Sequence, residues 1–215
     1  MIFCEKLLFL HVPKTGGISI TSVLLDVLPP PVYYSAPSGH HGQAREGIVF
    51  VPGKRHETLT DAKELLDEYG WRLEQFPVIL ACLRNPYELE VSRYAYLRKG
   101  HPWDRGVSQE LAMSGDFERF AIDSPPHAHR QLEAYFVLRG SVPDNLRIVH
   151  LEEISTELPA VLRSVGVDTK IRIPRTNRSR HRHYRHYYTP EAEEAVYRKY
   201  RWAFEAGGYE RLPSD

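Results

Sequence analysis

Four short runs of apolar residues are the first regular feature of the sequence. They span residues 7–12, 48–51, 77–83 and 146–151. Apolar residues fill these runs almost continuously instead of alternating with polar ones, which is typical of strands covered on both faces in a parallel sheet. None of the runs approaches the length of about 20 apolar residues that a membrane-spanning helix needs. The sequence therefore predicts four buried strands and no membrane span.

Helical periodicity fills the intervals between these runs. The predicted helices span residues 19–28, 60–69, 86–99, 130–138, 156–165 and 190–204. Thr60 is the predicted cap of the second helix, and Pro86 suits the first position of the third. Strands that alternate with helices indicate βαβ units, so the pattern predicts an α/β sandwich.

Residues 100–126 have a less regular pattern and are rich in Gly, Ser, Asp and Pro. This composition predicts either an insert beside the sheet that contacts a substrate or a plain solvated connection. No linker or repeat divides the chain, and 215 residues are a usual length for one domain. We therefore expect residues 1–215 to form a single domain.

The composition excludes several classes of protein. A hydrophobic fraction of 42% and a charged fraction of 26% are those of an ordinary globular protein, not of a disordered or fibrous one. The two cysteines, Cys4 and Cys82, lie in apolar runs, which excludes a disulfide scaffold and a zinc-finger spacing. Glu5 and Lys6 interrupt the apolar start of the chain, so a secretory signal is not expected. The expected location is the reducing cytoplasm.

Charge is balanced overall but unevenly distributed. The 28 Lys and Arg residues equal the 28 Asp and Glu residues in number. Residues 169–190 contain seven of the positive charges and no Asp or Glu, which leaves 21 positive and 28 negative charges for the rest of the chain. A nearly neutral protein that concentrates its cations in one segment is expected to bind an anion there.

The first apolar run leads into the segment His-Val-Pro-Lys-Thr-Gly-Gly-Ile-Ser at residues 11–19, just before a predicted helix. A helix N-terminus at the carboxyl end of a strand offers backbone N–H groups to an anion, and two consecutive glycines allow close approach. Side chains that can donate to the anion accompany them: Lys14, Thr15 and Ser19. The segment is therefore either a phosphate-binding loop or an ordinary strand–turn–helix connection. It is not a Walker A loop, because its lysine precedes the glycines.

This segment strongly resembles the 5′-phosphosulfate loop of sulfotransferases that use 3′-phosphoadenosine 5′-phosphosulfate (PAPS), especially the branch of carbohydrate sulfotransferases and their soluble bacterial relatives. That branch usually has Thr where this chain has Ile18. The resemblance implies a P-loop-like three-layer sandwich with a central, mostly parallel sheet flanked by helices. It also implies PAPS as the sulfuryl donor, a chemistry that needs no metal because the donor carries a good leaving group.

Two later motifs fit the same resemblance. Arg84 ends the third apolar run and Ser92 follows eight positions later, the spacing with which sulfotransferases bind the 3′-phosphate. The basic segment resembles the one that closes over the cofactor in the bacterial branch. The cofactor-binding residues that the resemblance implies are Lys14, Thr15, Gly16, Gly17, Ile18, Ser19, Arg84, Ser92, Asn177, Arg178 and Ser179.

Transfer of a sulfuryl group to a hydroxyl needs a base and a cation at the departing oxygen. Lys14 suits the cation, and His56, just after the second apolar run, is the first candidate for the base. His40 and His41 are the next candidates, whereas His11 and His150 end strands and are expected to be structural. The spacing of His181, His183 and His186 could suit a metal, but the surrounding arginines would repel a cation.

These observations predict a PAPS-dependent sulfotransferase that acts on a sugar or a small metabolite, with no nucleic-acid partner. A nucleotide kinase on a P-loop-like core is an alternative, although the Gly-Lys-Ser/Thr order that it needs is missing. A non-catalytic module that binds polyanions through residues 169–190 is the other alternative, since tyrosines are interleaved with the arginines there.

Overall fold

One six-stranded sheet is the centre of the fold in the residues that the computed structural model describes, which are 1–37, 45–101, 106–126, 131–168, 170–174 and 182–213. The strands are β1 (Ile2–Cys4), β2 (Leu7–Leu10), β3 (Val32–Ala36), β4 (Ile48–Pro52), β5 (Ile79–Leu83) and β6 (Leu146–His150). Eight α-helices lie in the same described ranges: α1 (Gly17–Val27), α2 (Leu59–Glu68), α3 (Pro86–Leu97), α4 (Val107–Met113), α5 (Phe117–Asp123), α6 (Ile154–Ser164), α7 (Pro190–Lys199) and α8 (Arg201–Glu205).

The chain divides into two compact units. The first contains Met1–Leu83 and Ala134–Thr176, and therefore the whole sheet with α1, α2 and α6. The second contains Arg84–Glu133 and Asn177–Asp215, with the other five described helices. The expectation that residues 1–215 form one domain stays a prediction. No helix among the described residues is both long and apolar enough to cross a membrane.

The strands of the sheet lie in the order β4-β3-β1-β2-β5-β6. Only β1 is antiparallel to its neighbours, since the pairs β3–β4, β2–β5 and β5–β6 are parallel. The other five strands consequently run in one direction and end at the same edge of the sheet. The mostly parallel sheet flanked by helices confirms the predicted fold class.

Alternate residues of each strand cover the two faces of the sheet. Phe9 of β2 and Leu80 of β5 pack with α1 and α6 on one face. On the opposite face, Phe3 of β1 packs against Trp71 and Phe76, which follow α2 in the chain. Because both faces of the sheet are covered, the strands can be apolar at nearly every position, as the sequence pattern indicated.

Some elements differ from the prediction. The pattern missed β1, which has three residues, and β3, whose sequence Val-Tyr-Tyr-Ser-Ala is not a continuous aliphatic run. Residues 132–135 form a 3₁₀ helix within the predicted helix 130–138, and the last predicted helix divides into α7 and α8. Residues 100–126, predicted to be irregular, contain α4 and α5.

The prediction of Thr60 as the cap of α2 was wrong. Thr58 caps this helix: its Oγ1 accepts a hydrogen bond from the Asp61 N–H at 3.2 Å, and the Asp61 carboxylate accepts one from the Thr58 N–H at 2.9 Å. This reciprocal arrangement is a capping box. Thr60 is exposed in the first turn of the helix, so α2 begins at Leu59, directly after the turn that carries His56.

The second unit is organised around a buried carboxylate. Glu90 of α3 has no exposed surface and accepts hydrogen bonds from Lys199 Nζ at 2.7 Å and from Tyr200 Oη at 2.5 Å. Burial raises the pKa of Glu90, but the charges of Lys199 and Arg93 lower the pKa more, so that the carboxylate stays ionised. The ionised group connects α3 to the end of α7 and the start of α8.

Replacing Thr58 by Ala is expected to lower the free energy of unfolding by about 1 kcal/mol, because the Asp61 N–H at the start of α2 loses its acceptor. Thr60→Ala, two positions further along the same helix, is the matched control and should leave stability within about 0.5 kcal/mol of the wild type. Urea unfolding of the three proteins measures the difference. Equal losses in both variants would contradict the assignment of Thr58 as the cap.

Candidate active site

The backbone between β2 and α1 forms a tight turn that contains two left-handed residues. Gly16 is the N-cap of α1 and has a left-handed conformation (φ 79°), and Lys14 is also left-handed (φ 64°). Such a conformation costs a non-glycine residue about 1–2 kcal/mol, so the loop holds Lys14 in a strained position. Among the described residues no side chain caps α1. The first N–H groups of an uncapped helix are available to donate to an anion.

Side chains of the loop differ in what they can offer to an anion. Lys14 is half-buried, and Ile18 is 51% exposed. Ser19 is buried in the first turn of α1. Thr15 is also buried, and its hydroxyl donates to the Val12 carbonyl at 3.0 Å. The Thr15 proton is therefore used inside the loop in this conformation.

The ring of His11 lies directly beneath the loop. A Cβ atom built on Gly17 would lie 2.0 Å from His11 Cδ2 and 2.1 Å from His11 Nε2, so only glycine fits above the ring. His11 is buried, and its Nδ1 has no hydrogen-bond partner among the described residues. Burial lowers the pKa of His11 well below 6.5, so the ring is neutral near pH 7. Its position under the loop was not expected from the sequence, which indicated only a structural residue at a strand end.

His56 lies beside His11. It belongs to the turn after β4, at the edge of the sheet where β2 also ends, as the sequence predicted. The two imidazole rings are 4.6 Å apart between centroids and nearly perpendicular, at 77°. His56 Nδ1 lies 2.8 Å from the His11 carbonyl oxygen. Since a carbonyl oxygen only accepts hydrogen bonds, Nδ1 carries the proton and Nε2 carries the lone pair.

The surroundings of His56 favour its neutral form. Burial lowers the pKa of His56, the hydrogen bond to the His11 carbonyl raises it, and the positive charges of the Met1 ammonium and Arg55 lower it further. The net effect is a pKa below 6.5, so His56 is uncharged near pH 7. A neutral imidazole whose Nε2 carries the lone pair can accept a proton.

The second unit contains the other described candidates for cofactor binding. Arg84 follows the last residue of β5, and the Asn85 side chain caps α3 by accepting hydrogen bonds from the N–H groups of Tyr87 at 3.0 Å and Glu88 at 3.3 Å. The Arg84 guanidinium lies 3.2 Å from the Glu88 carboxylate. Ser92 is buried two turns further along α3.

Most of the other residues singled out in the sequence lie outside the part of the chain that the structure describes. Five of them lie outside the described residues: His40, His41, Asn177, Arg178 and Ser179. His150, at the end of β6, faces Glu157 at 3.4 Å. In the described part of the chain, no group of three or more His, Cys, Asp or Glu side chains is arranged to hold a metal ion, and His181 of the suggested metal cluster lies outside that part.

Comparison with solved structures identifies the architecture. The chain matches a sulfotransferase from Alicyclobacillus acidocaldarius with a TM-score of 0.50 and 14% sequence identity, over 93% of this chain and 92% of that one. The fold is that of a sulfotransferase. The mouse sulfotransferase SULT7A1, in a structure complexed with PAP, matches with a TM-score of 0.48 and 13% identity, over 93% of this chain and 86% of that one. No family model and no curated protein matches the chain.

The sulfotransferase fold confirms the structural part of the resemblance drawn from residues 11–19. At 14% identity it establishes the architecture alone. Conclusions about the reaction therefore depend on the geometry of the loop and of the two histidines, not on the comparison. The first unit brings together the loop at residues 14–19 and His56 through His11, which contacts both. The sequence pattern did not predict that His11 contacts both segments, although His11 directly precedes the loop in the chain.

Replacing Gly17 by Ala is expected to destabilise the protein by about 1–3 kcal/mol, because the added methyl group would overlap the His11 ring. Adding His11→Ala should remove most of this penalty. A double-mutant cycle, with unfolding free energies from urea titrations, measures the coupling. We expect a coupling energy of at least about 1 kcal/mol. Additive losses in the double variant would show that the His11 ring does not lie against Gly17.

Acidification is expected to destabilise the folded protein below about pH 6.5. The unfolded chain binds protons at His11 and His56 near pH 6.5, whereas the folded protein binds them only at lower pH. Each histidine can contribute at most about 1.4 kcal/mol of unfolding free energy per pH unit. His11→Gln and His56→Gln should each weaken the pH dependence of the unfolding free energy between pH 5 and 6.5. Urea unfolding at several pH values measures this dependence. A slope unchanged in both variants would contradict the assignment.

Proposed function

We propose that this protein is a PAPS-dependent sulfotransferase that transfers a sulfuryl group to a hydroxyl of a sugar or a small metabolite. The observation that carries the proposal is the pairing, in the first unit, of an uncapped helix N-terminus behind Lys14 with a neutral histidine whose tautomer is fixed. One element binds an anion and the other accepts a proton, which are the two requirements of the reaction. The sulfotransferase fold supports the same conclusion.

The residues of the loop fit the phosphosulfate end of the cofactor. The N–H groups at the start of α1 and the Lys14 ammonium provide donors for negatively charged oxygens. Following the resemblance, Arg84 and Ser92 bind the 3′-phosphate, and Asn177, Arg178 and Ser179 close over the cofactor. Bound PAPS would supply the sulfuryl group and a phosphate leaving group.

The side chains of the first unit then have distinct roles. His56 Nε2 accepts the proton of the acceptor hydroxyl as its oxygen forms a bond to sulfur. Lys14 stabilises the negative charge that develops on the departing oxygen as the old sulfur–oxygen bond breaks. The N–H groups of the α1 N-terminus orient the sulfonate oxygens. The proton thus ends on His56 and the electron pair of the broken bond on the leaving phosphate.

Calorimetric titration with 3′-phosphoadenosine 5′-phosphate (PAP), with EDTA present, tests the cofactor site. We expect micromolar binding to the wild type, and binding weakened by about 1–3 kcal/mol, or roughly 5- to 150-fold, in Lys14→Ala and Arg84→Ala, because each loses a charge-assisted hydrogen bond. Lys63→Ala is the control, since it removes a lysine of the same unit whose ion pair with Asp67 lies on the surface of α2.

The same proteins are then assayed with PAPS and a panel of sugars and small hydroxyl compounds. His56→Ala should reduce turnover by about 10²- to 10⁴-fold while PAP binding stays within about twofold, because a base acts in the transition state and not in binding the nucleotide. Absence of PAP binding in the wild type would contradict the proposal. Salt-dependent binding of RNA or a sulfated glycan that survives Lys14→Ala would instead support the polyanion-binding alternative.

A further inference from the structure

Glu57 is a buried carboxylate directly after the candidate base. Only 2% of its surface is exposed, and each of its oxygens accepts hydrogen bonds. Oε1 accepts from the Ser35 hydroxyl and from the Lys54 N–H, the latter at 2.9 Å. Oε2 accepts from the Met1 ammonium at 2.9 Å. A buried carboxylate with this many donors is fixed in place and is the centre of a local network.

The network determines the conformation of the turn at residues 54–57. The bond from the Lys54 N–H to the Glu57 side chain closes the turn, and Arg55 inside it is left-handed, with φ 70°. The Met1 nitrogen also donates to the Arg55 carbonyl at 3.2 Å. Since the left-handed conformation is unfavourable for Arg, the surrounding hydrogen bonds must maintain it.

Gly53 shows how closely the network is packed. A Cβ atom at this position would lie 1.9 Å from Ser35 Oγ and 2.6 Å from Glu57 Oε1. A side chain at residue 53 would therefore displace both the donor and the carboxylate. The network thus connects β3, through Ser35, with the residues that follow β4.

Glu57 is not itself suited to be the base. Burial raises its pKa, but the charge of the Met1 ammonium and the hydrogen bond from Ser35 lower the pKa more, so that the net value lies below 4.5. Its oxygens already accept hydrogen bonds from groups that favour the ionised form. The carboxylate can therefore act on the reaction only through the residues that it holds.

We propose that Glu57 is a positioning residue for His56: it holds the turn so that His56 Nδ1–H donates to the His11 carbonyl and Nε2 is the proton-accepting nitrogen. The claim that His56 acts as a base rests on the proposed function, whereas the claim that Glu57 holds the turn rests on the contacts alone. The Nδ1–O distance of 2.8 Å is that of a well-formed hydrogen bond, which a displacement of about 1 Å would break. Such a displacement would release the tautomer and misalign the base.

The test uses Glu57→Ala, the isosteric Glu57→Gln, and two readouts. ¹⁵N NMR of the imidazole should show the Nδ1–H tautomer of His56 in the wild type and a mixture of tautomers in Glu57→Ala. Turnover with PAPS should fall roughly 10- to 100-fold in Glu57→Ala with PAP affinity within about twofold. Glu57→Gln keeps an oxygen that can accept from Ser35 and Lys54, so it should recover part of the turnover.

Asp61→Asn is the matched control. Asp61 belongs to the capping box of α2 and bonds to Thr58, the residue after Glu57. Its carboxylate also pairs with the Lys54 ammonium at 2.7 Å, a side-chain contact distinct from the bond between the Lys54 N–H and Glu57. This variant should lose stability and still show the wild-type tautomer and turnover within about twofold. A tautomer mixture in Asp61→Asn equal to that in Glu57→Ala would overturn the proposal, because it would show that general destabilisation suffices.

Ser35→Ala keeps the test decisive if Glu57→Ala fails to fold, since it removes a single donor to the carboxylate. A detectable share of the second tautomer in Ser35→Ala would support the proposal. A purely wild-type tautomer in a folded Ser35→Ala would overturn it. If the wild type neither binds PAP nor transfers a sulfuryl group, the proposed function fails, and the tautomer measurement still decides the role of Glu57.

Discussion

The common direction of five strands is the constraint on which the rest of the first unit depends. Because β2, β4 and β6 end at one edge of the sheet, the segments that follow them begin there, although they are separated by dozens of residues in the chain. The segment after β2 forms the loop, the segment after β4 carries His56, and Leu151 after β6 packs against Gly16. The short β1, which alone runs in the opposite direction, connects the two parallel parts of the sheet without changing this edge.

His11 joins two of these segments through two different groups. Its ring fills the space beneath Gly17, and its carbonyl accepts the Nδ1 proton of His56. One residue directly after a fully buried strand therefore sets both the loop backbone and the tautomer of His56, the proposed base. Burial also keeps both histidines neutral. A charged His11 would place a cation beside His56 and lower the basicity of its Nε2, so the low pKa of His11 preserves the proton-accepting capacity of its neighbour.

Some of these features could be predicted from the sequence because they depend on local patterns. The apolar run before His56 predicted that this residue lies at the edge of the sheet where the parallel strands end. Residues 11–19 themselves predicted the loop before α1. Thr58 was missed as the cap although the pair Thr58 and Asp61 has the capping-box spacing, because Thr60 lies at the start of the more regular helical pattern.

Other features depend on contacts between distant residues and could not be predicted. The donors to Glu57 come from Met1, Ser35 and Lys54, and only the last is near it in sequence. A glutamate between a histidine and a threonine normally indicates a solvated turn, since isolated Glu is rarely buried. Likewise β3 was missed because Val-Tyr-Tyr-Ser-Ala is not a continuous aliphatic run, and without β3 the pairing of Ser35 with Glu57 could not be predicted.

In the described part of the chain two carboxylates, Glu57 and Glu90, are buried, and each is compensated by donors in a different way. Glu90 is neutralised by Arg93 of its own helix and by Lys199 of α7, and its network joins helices of the second unit. A buried ion pair of this kind is weak evidence for added stability, because desolvation of the charges offsets most of their attraction. Glu57 pays a similar desolvation cost, yet it accepts a backbone N–H from within its own turn and so fixes the residue before it. The difference lies in what each carboxylate holds: Glu90 holds helices together, whereas Glu57 holds the turn that carries His56, the residue that we propose as the base.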